Sequence, residues 1–397
     1  MFRGFGIKRK FIRLTVRLIK FLDIFSLFHN TPKKVCSFEV ARCKELGIKE
    51  YQVYKGETHK EKEPLIWNYK ITRRFTSLYK RNNPDAFVAQ IPMGRVAGDS
   101  SNWIIFSDGT LSEELSREFG AYGGINVKKG VLIFEKLRFK KINKIRGNVA
   151  VITTCGFNNF HHWHYDCLPR LHLLKQVVSF DKIDYFVIHH NELSFQLQSI
   201  KAFGISNEKI IKIKSDECLE ADLLWVPSLP SPLGTVSKWV VSFLRRFYLC
   251  DENTFVAGKR LFISRKYVSS RQILNNNEFV MTLKKYNFRE IFPEDYEVTT
   301  FASMIASSDF IISVHGSGLA NLCFISEGTK VVDILAPYHQ DGYYWQITNI
   351  CKGKYIGFFA EGEHPDDDLD LVRTSIDNNL IINIKSFDEL LQNEIIS

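Results

Sequence analysis

Three stretches of the chain contain residues whose types and spacing could perform chemistry. The first contains His162, Trp163, Asp166, Pro169 and Arg170. Residues four apart share one face of a helix, so His162 and Asp166 could form a general-base pair in which either side chain is the base. Arg170 offers a planar fork for a carboxylate or phosphate. The alternative is a helix start, with Asp166 as the cap, Pro169 in the first turn and the aromatic residues in the core.

The same stretch holds several histidines, which raises the question of a zinc site. His161, His162 and His164 are too close together to supply three ligands from one rigid element, and no fourth ligand is evident. The acidic run 366–368 precedes a predicted helix, 369–376, and favours helix capping over metal binding. The sequence therefore predicts no metal site.

The second stretch begins where a predicted strand, 260–264, ends. Arg265 follows this strand directly, and Arg271 and Asn275 come a few residues later. Guanidinium groups hold a diphosphate in bidentate geometry without titrating, so the stretch suits a phosphate-containing ligand. A solvated basic loop capped by asparagine is the alternative.

The third stretch has the sequence FIISVHGSGLAN and runs from Phe310 to Asn321. A buried strand is predicted over 310–314, and an apolar helix is predicted to start near Leu319. The turn between them consists of His315, Gly316, Ser317 and Gly318. Its glycines let a phosphate approach the backbone N–H groups, and the amide of Asn321 could reach the same ligand. A turn that binds no ligand is the alternative, and Asp333 extends the stretch onto the next predicted strand.

Strands and helices alternate regularly around the second and third stretches and position their residues. A Pro- and Ser-rich segment, 227–234, is the predicted linker that precedes them. Strands are predicted over 260–264, 289–292, 310–314, 330–335 and 355–358, and helices over 236–248, 278–286, 300–307, 319–325 and 343–350. This alternation is typical of parallel βαβ units and predicts a Rossmann-like domain. Arg265 and His315 then lie at the carboxyl edge of one sheet, where open α/β sheets bind ligands.

The part of the chain before the linker is less regular. Strands are predicted over 103–106, 131–134, 147–152, 185–188 and 223–227, and helices over 171–178 and 193–203. The charged run 57–64 is interpreted as a solvated surface loop. The eight cysteines form no C-x-x-C pair, so we interpret them as small, buried side chains in a reducing compartment.

The net charge of +9 is concentrated at the N-terminus. Seven basic residues and no acidic residue lie within 1–20, which leaves +2 for the rest of the chain and argues against a nucleic-acid-binding surface. Residues 1–28 place phenylalanine and leucine on one helical face and lysine and arginine on the other. This pattern is typical of a helix that lies on an anionic membrane, because charges interrupt every apolar run before it could span one. A surface helix packed on the protein is the alternative.

Together the three stretches resemble glycosyltransferase family 61. The family's block N-x-x-H-W-x-x-D-x-L-P-R-L is matched by Asn159, His162, Trp163, Asp166, Leu168, Pro169, Arg170 and Leu171. An arginine at a strand end and a later R-x-x-x-N-E are matched by Arg265, Arg271 and Asn275, with Asn276 in place of the glutamate. The family's H-G-A-G-L-T-N is matched over 315–321, with Ser317 and Ala320 as small-for-small changes. A glutamine that is usual in the preceding helix is not evident near Phe301.

The resemblance implies an α/β fold of the GT-B type, in which two Rossmann-like domains face each other across a cleft. The expected boundaries are a basic amphipathic helix at 1–30, an acceptor domain at 31–234, a nucleotide-sugar domain at 235–360 and a tail at 361–397 that packs back on the N-terminal domain. The implied reaction is inverting transfer of a sugar from a nucleotide-sugar, expected to be UDP-linked, to a growing capsular or lipopolysaccharide glycan. No metal or other cofactor is expected.

The resemblance also implies roles for single residues. Asp166 is the first candidate for the catalytic base and His162 the second, while Trp163 and Arg170 contact the acceptor or are structural. The implied donor-binding residues are Arg265, Arg271, Asn275, His315, Gly316, Ser317, Gly318 and Asn321.

The expected location is the inner face of a bacterial plasma membrane, where residues 1–28 hold a cytoplasmic protein to anionic lipid. The expected partners are a nucleotide-sugar and a glycan or lipid-linked acceptor, with no nucleic acid; the sequence does not determine the oligomeric state. The alternative function is a non-catalytic nucleotide- or glycan-binding subunit of a polysaccharide assembly complex. The departures at Asn276 and Phe301 leave that alternative open.

Overall fold

The computed structural model describes residues 31–32, 34–99, 102–118, 132–136, 138–232, 234–249, 259–337, 341–362 and 378–396. The amphipathic helix predicted over 1–28 and the acidic run 366–368 lie outside these residues. None of the helices within the described ranges is long and apolar enough to cross a membrane. The chain divides into two compact units, the first formed by Met1–Gly56 and Pro84–Leu233 and the second by Glu57–Asn83 and Gly234–Ser397.

Both units contain strands and helices, so the predicted mixed α/β class is confirmed. The strands are β1 (Val35–Cys36), β2 (Lys49–Tyr54), β3 (Glu57–Lys60), β4 (Leu65–Ile66), β5 (Lys80–Asn83), β6 (Ala86–Pro92), β7 (Arg95–Ala97), β8 (Trp103–Ile105), β9 (Leu111–Ser112), β10 (Lys141–Val151), β11 (Tyr185–Val187), β12 (Ile210–Ile211), β13 (Glu217–Pro227), β14 (Arg260–Ile263), β15 (Arg289–Ile291), β16 (Phe310–Val314), β17 (Lys330–Leu335) and β18 (Lys354–Phe359). The α-helices are α1 (Phe38–Cys43), α2 (Arg73–Thr76), α3 (Phe160–His162), α4 (Leu168–Val177), α5 (Ser194–Ala202), α6 (Lys238–Tyr248), α7 (Asn276–Lys285), α8 (Val298–Ala306), α9 (Tyr343–Ile350) and α10 (Ile384–Ile396).

The first unit is built on a sheet whose centre is the pair of long strands β10 and β13. These two strands are parallel, and β11 and β12 continue the parallel part beyond β10. On the other side of β13, β6 and β7 pair with it in antiparallel orientation. The chain leaves β10 toward β11 and β12 and then returns to β13 on the opposite side. The order of strands therefore reverses at the β10/β13 pair, and such switch points bind ligands in open α/β sheets.

The second unit is built on a six-stranded parallel sheet with the order β15-β14-β16-β17-β18-β4. After β14 the chain moves to β15 on one side and then crosses back to β16 on the other, so the switch point lies between β14 and β16. Ile263 in β14 pairs with Ile291 in β15 and with Ser313 in β16. The carboxyl ends of these three strands are therefore level.

The C-terminal helix packs in the core of the second unit, whereas the tail was expected to pack on the N-terminal domain. Phe387 of α10 lies 4.9 Å from Phe279 and 4.8 Å from Phe358, measured between ring centroids. Leu390 and Leu391 are buried in the same cluster. The expectation was wrong because one apolar face of α10 completes the sheet's own hydrophobic core.

Two other expectations about the first part of the chain were also wrong. The apolar run predicted as a strand at 131–134 contains a 3₁₀ helix, Leu132–Glu135, because a short apolar run fits either structure. The charged run 57–64 contains β3, which pairs with β5. It also contributes a buried ion pair, in which Arg81 Nη2 lies 2.8 Å from Glu61 Oε1. The charged run 57–64, which was expected to be a solvated surface loop, is thus partly buried.

Candidate functional site

The candidate site of the first unit is built on an irregular helix that follows β10. Asn159 caps it, because its Oδ1 accepts hydrogen bonds from the backbone N–H groups of His161 and His162 at 2.8 and 3.4 Å. A single π-helical turn, Trp163–Cys167, separates α3 from α4. Such turns occur often at functional sites. Asp166 therefore lies inside the helix, and the alternative that it caps the helix start is wrong.

Asp166 is the centre of a buried polar cluster. Nδ1 of His162 lies 2.7 Å from Oδ2 of Asp166, and Nη1 of Arg117 lies 3.0 Å from Oδ1. Burial raises the pKa of Asp166, but the charge of Arg117 and the bond to His162 outweigh this effect and hold the pKa far below its ordinary value. Asp166 is therefore an ionised carboxylate with a partner on each oxygen.

His162 is the more accessible member of this cluster. Its side chain is 26% exposed, whereas that of Asp166 is 4% exposed. An ionised carboxylate only accepts hydrogen bonds, so the His162 ring carries a proton on Nδ1, the nitrogen in contact with Asp166. The geometry is that of a carboxylate that orients an imidazole base.

Two residues that sequence reasoning missed support this pair. Arg117 also donates from Nη2 to the carbonyl oxygen of Ser231 at 2.7 Å. No sequence pattern pointed to Arg117, because it lies far from Asp166 along the chain. Gly156 has φ +80°, and a Cβ on it would lie 2.7 Å from His162 Cδ2. Only glycine lets the loop after β10 pass this close to the imidazole. A glycine shortly after a predicted strand was the available signal.

Trp163 and Arg170 are both structural in this arrangement. Trp163 is buried, and its Nε1 donates to Ser199 Oγ on α5 at 2.9 Å. Arg170 is fully buried and donates to the carbonyl oxygens of Pro227 and Ile152, at 2.9 and 3.0 Å. The guanidinium group thus ties the carboxyl ends of β13 and β10 together at the switch point.

The remaining histidines of this stretch differ in their contacts: His164 bonds to the backbone, whereas the ring of His161 packs edge-on against that of His162, with centroids 5.5 Å apart. His164 Nδ1 lies 2.7 Å from the carbonyl oxygen of Phe160, and burial lowers its pKa to about 4. The ring of His161 stacks on Tyr165 with centroids 4.7 Å apart. No group of three or more metal-ligating side chains occurs among the described residues.

In the second unit, two arginines converge on the glycine turn. The guanidinium group of Arg265 lies against Gly316, where a Cβ would come within 2.2 Å of Nη1. Gly316 has an extended backbone with φ 166°, so glycine is needed there for space and not for conformation. Arg271 has φ +56°, and its Nη1 donates to the carbonyl oxygen of His315 at 2.6 Å. The structure thus brings together Arg265, Arg271 and the turn that follows β16.

His315 is held by a carboxylate on the neighbouring strand. Its Nδ1 lies 2.9 Å from Oδ2 of Asp333 in β17, and the same oxygen accepts a hydrogen bond from Tyr355 Oη at 2.9 Å. The ring of Tyr344 lies 4.7 Å from the His315 ring, centroid to centroid. Burial and the charge of Asp333 raise the pKa of both tyrosines, so they remain neutral. Neither tyrosine was predicted to be a site residue, because nothing in the sequence distinguishes either one from an ordinary core residue.

The remaining residues that were predicted to bind the donor lie in two places, the helix after the glycine turn and the contact with the C-terminal segment. Ser317 and Gly318 begin the helix after the turn, which was predicted over 319–325 and is a 3₁₀ helix, Ser317–Phe324. Asn321 lies in that helix, and its Nδ2 donates to the carbonyl oxygen of Gly318 at 3.0 Å. Asn275 is placed differently: its amide donates to and accepts from the backbone of Ile382, at 2.8 and 3.0 Å. Asn275 therefore fastens the C-terminal segment.

Fold and sites together define the class as an α/β protein with a polar cluster at a sheet switch point in each unit. Residues 160–332 match the family described as Glycosyltransferase 61, and the matched segment includes His162, Asp166, Arg265 and His315. This match confirms the resemblance to glycosyltransferase family 61 over these residues. No curated protein matches the chain.

Proposed function

We propose that the protein is an inverting, metal-independent glycosyltransferase of the GT-B type, which moves a sugar from a nucleotide-sugar to a growing surface glycan. The observation that carries the proposal is the 2.7 Å contact between His162 Nδ1 and Asp166 Oδ2. It supplies the base that inverting transfer requires, within the segment that matches the glycosyltransferase family.

In this mechanism His162 is the base and Asp166 orients it. Nε2 of His162 takes the proton of the acceptor hydroxyl while the oxygen attacks the anomeric carbon of the donor sugar. The carboxylate of Asp166 fixes the tautomer with the proton on Nδ1 and stabilises the imidazolium that forms. Arg117 keeps Asp166 ionised, because its charge lowers the pKa of that carboxyl group. The strongly lowered pKa makes Asp166 itself a poor base, which favours His162 over the first candidate from the sequence.

The leaving group is a nucleoside diphosphate, whose charge must be stabilised as the sugar departs. Arg265 and Arg271 bring two guanidinium groups to the turn after β16, next to His315. Guanidinium groups bind diphosphates in bidentate geometry and stay charged at every working pH. These cations can do the work that a divalent metal does elsewhere, and on this ground we propose metal-independent transfer.

The remaining parts of the proposal rest on the sequence. Residues 1–28 hold the protein to anionic lipid on the inner face of the plasma membrane. The donor is UDP-linked, and the acceptor is a capsular or lipopolysaccharide glycan, free or lipid-linked. A non-catalytic binding subunit is the competing function, and it would bind nucleotide without turnover.

The first experiment is a thermal-shift measurement with UDP, GDP, CMP and their common sugar conjugates in the presence of EDTA. Stabilisation by one nucleotide is the expected result, because binding to the folded state raises the melting temperature. The stabilising sugar conjugate is then incubated with glycan acceptors, and the anomeric configuration of the product is read by NMR. Binding without transfer to any acceptor would support the binding subunit instead. A product of retained configuration would overturn the inverting mechanism.

A further inference from the structure

Tyr267 is an aromatic side chain that the described fold leaves unusually exposed. It exposes 67% of its surface, although large aromatic side chains normally bury most of theirs. It lies two residues beyond Arg265, in the loop that follows β14. The fold does not require a solvent-exposed aromatic ring at this position, and the ring lies next to a candidate diphosphate site.

Phe292 provides a second ring beside Tyr267. It comes directly after β15, and the two ring centroids lie 4.8 Å apart with an interplanar angle of 44°. Because Ile263 pairs with Ile291, the loops that carry the two rings leave the sheet at the same level. Tyr267 and Phe292 therefore form one aromatic surface at the carboxyl edge of the sheet.

This aromatic surface borders the glycine turn. A Cβ on Gly318 would lie 3.8 Å from Cγ of Pro293, the residue that follows Phe292. The same turn contacts the guanidinium group of Arg265 through Gly316. The aromatic surface, the glycine turn and Arg265 are therefore neighbours at one edge of the sheet. A nucleoside diphosphate joins groups that suit such neighbours, because its flat base lies one ribose away from the phosphates.

We propose that Tyr267 and Phe292 form the base subsite of the donor nucleotide, with the base stacked on the ring of Tyr267. This inference rests on the proposed function, because it assumes that the turn and Arg265 bind the diphosphate. Base stacking on an aromatic ring is energetically substantial and tolerates different bases. The subsite accordingly recognises a nucleobase as a class, and the tyrosine hydroxyl is not required for the stacking.

The test compares the affinities of UDP, GDP and inorganic pyrophosphate for the full chain and three variants, measured by calorimetry. Tyr267→Ala removes the stacking ring, and Tyr267→Phe keeps it. Met281→Ala is the matched control, because Met281 on α7 of the same unit is 68% exposed. Substitution at such exposed positions leaves the fold intact. Pyrophosphate reports on the diphosphate subsite alone.

The expected result is that Tyr267→Ala weakens binding of the favoured nucleotide about tenfold, whereas pyrophosphate binding and the other two variants stay at the wild-type level. Unchanged nucleotide affinity in Tyr267→Ala would overturn the base subsite and leave the proposed function standing. An equal loss for pyrophosphate would also overturn it, because Tyr267 would then act on the diphosphate site. If the wild-type chain binds neither nucleotide, the donor site of the proposed function itself fails.

Discussion

Nδ1 of His162 lies 2.7 Å from Oδ2 of Asp166, and the two residues are four apart across a π-helical turn. The same carboxylate is paired with Arg117 on its other oxygen, at 3.0 Å. The cation keeps Asp166 ionised at neutral pH, and the anion fixes the orientation of an imidazole that remains partly exposed. In the proposed mechanism, His162 therefore transfers the proton and Asp166 is its positioning residue.

We expect His162→Gln to lower the transfer rate by about 10²–10⁴-fold, because a general base typically contributes that much. Glutamine keeps a polar side chain of similar length but cannot accept the proton. The affinity for the donor nucleotide should stay unchanged, since in the proposed mechanism His162 acts on the acceptor hydroxyl and not on the diphosphate. Single-turnover rates and nucleotide affinities measured on the same preparations check both statements.

The neighbouring His161→Gln is the matched control for the base assignment. His161 belongs to the same helix, and its ring stacks on Tyr165 and packs edge-on against that of His162, but the imidazole in contact with the Asp166 carboxylate is that of His162. His161→Gln should retain most of the transfer rate. If His162→Gln transfers sugar at the wild-type rate, the base is another group and the assignment is wrong.

Asp166 should make the stability of the protein depend on pH in the acid range. An unfolded aspartate has a pKa of about 3.9, and the pKa of Asp166 in the fold is far lower. A lowered pKa stabilises the fold fully above the unfolded value, and this contribution is lost as the pH falls toward the folded value. We expect the free energy of unfolding to decrease below about pH 4 in the wild type and to decrease less in Asp166→Asn.

Urea titrations between neutral pH and about pH 2.5 measure this difference. At neutral pH, Asp166→Asn should be about 3–5 kcal/mol less stable, because Arg117 is left buried without its counter-charge. Stability curves that run parallel for the two proteins would show that Asp166 titrates normally in the fold.

Arg170 should matter for stability and not for substrate binding. Arg170→Lys replaces a planar fork with a single ammonium group, which cannot reach the carbonyl oxygens of both Pro227 and Ile152. We expect a loss of about 2–4 kcal/mol in the free energy of unfolding, since buried carbonyl groups are left without donors. Arg146→Lys, at an exposed position of β10, is the control and should change stability by less than about 0.5 kcal/mol. A large change in nucleotide affinity with unchanged stability would assign Arg170 to binding instead.

The part of the second unit from β14 to β18 could be predicted from the sequence almost element by element. The bounds of β16, β17 and α9 are those predicted from the apolar pattern. Fully buried parallel strands are short apolar runs, and the helices between them end at polar or glycine positions, so the boundaries are visible locally. The turn at 315–318 and the arginine after β14 were visible for the same reason.

Features that depend on distant contacts could not be predicted. Leu65 and Ile66 form β4, which pairs with Ile356 and Gly357 and so adds an early segment to the edge of the second sheet. No local pattern encodes such a partner. Arg117 became visible only through its contact with Asp166. The amphipathic helix at 1–28 stays a prediction.

Asn275 and Arg265, both predicted to bind the donor, should behave differently when mutated. Asn275→Ala removes two hydrogen bonds to the backbone of Ile382, so we expect it to lower the free energy of unfolding by about 1–3 kcal/mol. Its nucleotide affinity should be that of the wild type. Arg265→Ala should instead weaken nucleotide binding by about 1.5–3 kcal/mol, as for a hydrogen bond to a charged group. Thermal melts and calorimetric titrations of both variants separate the two roles, and weak binding by a stable Asn275→Ala protein would return Asn275 to the donor site.

Gly316→Ala tests whether the position of the Arg265 guanidinium group matters for the donor. A methyl group at Gly316 would lie 2.2 Å from Nη1 of Arg265, so the guanidinium group must move away from the turn. The extended backbone accepts alanine without strain, because φ is 166° there. We therefore expect nucleotide affinity to fall about tenfold, equivalent to about 1.4 kcal/mol, with little change in melting temperature. Gly328→Ala is the opposite control. Gly328 has φ +85°, so alanine there should cost about 1 kcal/mol of stability. An added Cβ would contact no neighbouring atom and Gly328 lies outside the turn, so nucleotide binding should not change. Wild-type affinity in Gly316→Ala would mean that the guanidinium group does not hold the diphosphate from its present position.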